Sequence, residues 1–163
     1  MGQYSKQIFS WTLVLLWMGL IFYMSAQPAT QSQEMSKGVV EVVVQTVERV
    51  APSLAEQLDI RYLHHIVRKN AHFIIYLILG VLVINALNVS VVEGWKGIVF
   101  ALSICILYAI SDEVHQLFVP GRSGEVRDVI IDSAGSSVGI GVYLGLTNVM
   151  EKVRARGENG GIF

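Results

Sequence analysis

Apolar positions are not spread evenly along this chain; they gather in long blocks. Ile8 to Met24 is nearly unbroken, Ile74 to Leu87 and Ile98 to Ile110 are shorter, and a long run follows Asp128 to Met150. A helix rising 1.5 Å per residue needs about 20 residues to cross roughly 30 Å of hydrocarbon. The first and last blocks reach that length with their flanks. The middle two fall short, so the second must extend back through His72 to Lys69 and the third forward through Ser111 to Phe118. The pattern predicts an all-α fold: a small polytopic helical bundle with spans at about 7–25, 69–88, 98–118 and 129–149. These form a single membrane domain over 1–150, and Lys152 to Phe163 reads as a polar, Gly-rich, flexible tail.

A cleaved signal peptide would share the basic start and the Ser25-Ala26 pair, but the first apolar run is long and its basic flank thin, so a retained span is expected. Ser25 to Ser36, dense in Pro, Ser and Gln, reads as a loop. From Lys37 to Val50, Val39, Val40, Val43, Val47 and Val50 fit one helical face while Glu41, Gln45, Glu48 and Arg49 turn elsewhere. The valines also permit a strand, but a strand would have no partner. An amphipathic helix in this first long loop, against the bundle or at the membrane surface, is expected. It stops before Pro52. Ser53 then offers a cap for a short helix through Leu58, with Glu56 completing a capping box.

Composition agrees with the pattern. The 163 residues are 53% hydrophobic and 15% charged, well below the ~25% charged of soluble domains. Mean hydropathy is +0.53. A net charge of −1 leaves no basic footprint for nucleic acid. Cys105 is the only cysteine, which excludes an internal disulfide or a cysteine metal framework.

The polar residues that interrupt the blocks are the informative ones. Extending the second span draws Arg68, Lys69 and His72 to the membrane boundary, with Arg68, His72 and Tyr76 on one helical face. Extending the third places Asp112 about 9 Å inside its end. Glu113, His115 and Gln116 follow it closely, and Asp112 shares a face with Gln116. Pro120-Gly121 signals a turn that presents Arg122. Asp128 and Asp132 then lie one turn apart at the start of the last span, continued by Ser136. A charge deep in a span costs roughly 2.5–3.5 kcal/mol on insertion scales, so these groups need partners or a wet pocket. Hairpin connectivity carries them all to one membrane face. Gly135, Gly139, Gly141 and Gly145 give the last helix small surfaces for close approach.

A raw count of Lys and Arg favours that polar face as cytoplasmic. Several of those cations are expected to pair with Asp112, Glu113, Asp128 or Asp132. Discounting them leaves the basic tail at Lys152, Arg154 and Arg156 as the anchor, with both termini cytoplasmic and the polar site facing outward.

The motifs resemble the VanZ-like family of bacterial membrane proteins from about Tyr23 to Gly145. Ser25-Ala26-Gln27-Pro28 with Ser32 and Ser36 is similar to the family's loop after its first span. Arg68-Lys69-x-x-His72-Phe73 with Tyr76 resembles its Arg-Lys-x-x-His-Phe signature. Asp112-Glu113-x-His115-Gln116, then Phe118-x-Pro120-Gly121-Arg122, then Asp128 and Asp132 before Gly135, matches its central block in order and spacing. Position 132 is often Asn in such proteins. The resemblance implies a multi-pass protein of the bacterial cytoplasmic membrane. The family's best-known member is associated with resistance to the glycopeptide antibiotic teicoplanin.

Three functions are open on this reading. The first is binding or handling of an anionic cell-envelope lipid or glycolipid, with an influence on teicoplanin susceptibility. Arg68, Lys69, Tyr76, Gln116, Arg122, Arg127, Asp128 and Asp132 would form the binding site, with arginine forks on phosphate. The second is an embedded enzyme using His72 or His115 as general base, poised by Asp112 or Glu113. The third is a salt-bridge network that only holds the helices in register. The spacings Asp112–His115 and Asp128–Asp132 can converge on a cation, but the surrounding basic residues oppose one. No metal and no cofactor are therefore expected; the bilayer and an envelope lipid are the expected partners.

Overall fold

A computed structural model describes residues 2–51 and 59–159. The short capped helix expected from Ser53 to Leu58 lies outside the described residues. The chain forms α1 (Gln3–Ser25), α2 (Ala29–Val50), α3 (Ile60–Val89), α4 (Gly94–Gln116) and α5 (Val126–Asn159). Helices α1, α3, α4 and α5 are long and apolar enough to cross a membrane. Helices satisfy their own backbone hydrogen bonds, which is what lets them span hydrocarbon. The fold is an all-α bundle of these four with α2 as the non-membrane helix in the first loop.

Two boundaries differ from the sequence reading. Only Ala26 to Pro28 separates α1 from α2, so most of the expected 25–36 loop is helix. Pro28 stands at the helix start, where its fixed torsion fits and its missing N–H costs nothing. The Ala, Gln, Glu and Met that follow have good helix propensity. At the other end, α5 runs past Met150 to Asn159, so the expected tail begins as helix.

The long helices explain how charge and span coexist. The 30 residues of α3 rise about 45 Å, roughly 15 Å more than the hydrocarbon needs. The excess turns hold Arg61, His64, His65 and Arg68. Asp59 caps this end, accepting hydrogen bonds from the N–H groups of Arg61 (2.9 Å) and Tyr62 (3.4 Å).

Packing within the bundle is closest between α3 and α5. A β-carbon on Gly135 or Gly139 would collide with the carbonyls of Phe73 and Leu77, and one on Gly80 with the backbone of Ser136. Glycine at these positions lets the two backbones touch. Gly141 and Gly145 face open space instead. The core includes Val14 and Ile21 of α1, Tyr76, Leu79 and Val83 of α3, and Ala101, Cys105 and Ala109 of α4. Leu15, Phe22, Phe100, Leu107, Ile130 and Leu146 are exposed, forming the apolar exterior of a lipid-facing bundle. Indole and phenol donors bind helix carbonyls across it: Trp17 Nε1 donates to Ile75 O (2.8 Å) and Tyr108 Oη to Met18 O (2.5 Å).

Candidate polar site

The register set by Gly135 and Gly139 places the early turns of α5 against α3 at the level of Lys69 and His72. The α4–α5 turn closes the same end. Gly121 adopts φ 75°, a conformation that favours glycine, and the reversal carries Arg122 back toward α1. Arg122 Nε donates to Gln27 O (2.9 Å), its terminal nitrogens to Gln116 Oε1 (3.2 Å) and Met24 O (3.4 Å). Burial lowers the Arg122 pKa, and the charge of Arg68 lowers it further, against the pull of Asp112 and Glu113.

Glu113 holds this turn. One carboxylate oxygen accepts from the Glu125 N–H at the start of α5 (2.8 Å), and the other from Gln116 Nε2 (2.9 Å). Gln116 Nε2 also reaches Asp112 Oδ2 at 3.4 Å. Lys69 Nζ lies 2.6 Å from Asp128 Oδ1 and 3.3 Å from Glu125 Oε2. Of the cations expected to pair with the acids, Lys69 alone does so among the described residues. Arg122 binds carbonyls and an amide, and Arg68 has no ion pair or hydrogen bond among the described residues. Arg127 is exposed and joins no ion pair among the described residues. The physical reason is reach: register aligns Lys69 with the first turn of α5, while Arg68 turns toward α2.

His72 from α3, Asp112 from α4 and Asp132 from α5 converge, with one donor atom from each lying within 4.8 Å of the others. His72 Nδ1 is 3.6 Å from Asp132 Oδ1, too long for a hydrogen bond. Tyr76 and Asp132 are completely buried, and Asp112 nearly so. Ser136 Oγ donates to the carbonyls of Tyr76 (3.2 Å) and Asp132 (3.1 Å). The helical pairs Asp112–His115 and Asp128–Asp132 do not form the cluster; one residue from each of three helices does. His115 is outside it, its ring tilted 30° on Phe22 at 4.3 Å between centroids.

Beside the cluster is a cavity of about 180 Å³ between α1, α2 and α3, lined on its polar side by Ser25, Ser32, Ser36, Arg68, His72 and Arg122. Ile21, Met35, Val39, Val67 and Ile75 supply its apolar walls. A second, more polar cavity of about 140 Å³ shares Ser32, Ser36 and Arg68 with it and adds Arg61, His64 and His65. His64 Nδ1 and Ser36 Oγ are hydrogen-bonded at 2.6 Å. Helix α2 thus forms a wall of the site, a role hidden while its first turns read as loop. Glu125 was likewise missed; its signal is an acid at the head of a helix that faces the basic turns of another.

Fold and site together define a multi-pass membrane protein with a buried His/Asp cluster at one end of a four-span bundle. A family model for VanZ/LLP1 matches residues 9–148, and the chain belongs to that family. No curated protein and no solved structure gives a significant match.

Proposed function

We propose that the cavity beside His72 binds the anionic head group of a cell-envelope lipid or glycolipid, and that through it the protein influences teicoplanin susceptibility. The observation that carries this is Arg68. It is a half-buried guanidinium with no counter-ion among the described residues, facing a cavity it shares with a second guanidinium, Arg122. An anion between them would relieve their repulsion, and phosphate matches the arginine fork. The serine hydroxyls suit phosphate or sugar oxygens, and the apolar walls suit the start of an acyl chain. In this reading both termini lie in the bacterial cytoplasm, anchored by the basic residues Lys152, Arg154 and Arg156, and the site opens outward.

Native mass spectrometry of gently extracted protein tests the proposal. The wild type should carry an anionic lipid, and Arg68→Met should lose it while remaining folded. Equal lipid retention in both, or none in the wild type, would count against it. A second reading, acid–base catalysis on a lipid-linked substrate, is favoured by His72 lying at the cavity with Asp132 behind its ring nitrogen. It requires a new product by mass spectrometry when pure protein meets envelope lipids.

A further inference from the structure

Among the described residues seven buried side-chain polar atoms have no hydrogen-bond partner, and four of them concentrate in one place, the others being Ser25 Oγ, Tyr76 Oη and His115 Nε2. His72 Nδ1, Asp112 Oδ1 and both carboxylate oxygens of Asp132 are buried with no hydrogen-bond partner. Buried polar groups without partners are rare and costly. Here they come from three helices and point into one junction. We propose that His72, Asp112 and Asp132 bind a divalent transition-metal cation such as Zn²⁺ or Mn²⁺.

Charge, donor type and distance support the site. As ligands, two carboxylates and a neutral imidazole would carry a charge of −2, which a divalent ion neutralises. Imidazole suits zinc and carboxylate suits manganese. Ligand bonds of about 2.0–2.2 Å at a tetrahedral angle separate donors by roughly 3.4 Å. The His72–Asp132 distance of 3.6 Å is close to that. The widest separation permitted in the cluster, 4.8 Å, closes with a small side-chain shift. Gln116 holds the other Asp112 oxygen and so orients the ligand, as supporting groups do around metals.

The neighbouring cations do not compete for the donors. Lys69 is held by Asp128 and Glu125, and Arg122 by main-chain carbonyls and Gln116. Three protein ligands leave a coordination position open, and His72 borders the cavity. The assignment does not require a bound lipid.

The test uses the full chain in mild detergent, stripped with chelator, loaded with Zn²⁺ or Mn²⁺, desalted and analysed for metal. Wild type should retain one of these ions stoichiometrically. His72→Gln and Asp132→Asn should each lower retention by at least the ~10-fold that losing a supporting partner costs a metal site. Glu93→Gln, at an exposed acid of the α3–α4 loop, should retain it. Electron spin-echo spectra of the Mn²⁺-loaded wild type should show coupling to an imidazole nitrogen. This last readout needs no variant and decides the matter if a variant fails to fold. No retained ion, equal loss in Glu93→Gln, or absent nitrogen coupling in protein that retains Mn²⁺ would overturn the assignment.

Discussion

Lys69 and Arg68 are neighbours in sequence, and His72 lies one turn beyond, yet the two sides of α3 end in opposite states. On the α5 side, Lys69 sits between Asp128 and Glu125 with both acids in ion-pair range. On the other, Arg68 has no counter-ion among the described residues, and His72 meets two carboxylates without a hydrogen bond to either. The first region is closed on itself and holds helices together. The second has capacity left over for something else. Polarity inside a membrane bundle therefore does not by itself mark a site; unsatisfied polarity does.

Lys69→Met should produce the largest change. It leaves Asp128 and Glu125 without their cation, and removing one partner from a buried pair costs about 3–5 kcal/mol. Lys69 and Asp128 side chains are 13% and 14% exposed, so the loss should fall toward the lower end of that range, read as a drop in thermal unfolding in detergent. A loss indistinguishable from that of a surface variant would erase the distinction between the two regions. Asp132→Asn should do much less to stability in chelator-treated protein, within about 1 kcal/mol or on the stabilising side. It removes a buried charge that has no good partner. A fall as large as that of Lys69→Met would make Asp132 framework rather than site. Arg127→Gln should change neither stability nor lipid retention, with stability within about 0.5 kcal/mol, as for exposed positions away from special features. A clear effect there would extend the site to the exposed face of α5.

Much of the fold was legible because membrane spans follow from length and apolarity alone. The early turns of α2 were not, since Pro28 with Ser and Gln carries the composition of a loop, and only helix packing separates the two. The polar end was legible as a cluster because hairpins must return charge to one face. Which charges pair was not legible. That depends on interhelical register, set by Gly135 against Phe73 and Gly139 against Leu77, and no local spacing encodes it. His115 shows the same limit: sequence places it one turn from Asp112, while packing turns it onto Phe22.

Melting curves of Arg68→Met beside Lys69→Met, with and without added anionic phospholipid, probe the division most directly. Arg68→Met should melt with the wild type in plain detergent and lose the upward shift that phospholipid gives the wild type. Lys69→Met should melt earlier and keep that shift. The reverse pattern, with Arg68→Met unstable and still responsive to lipid, would contradict the account.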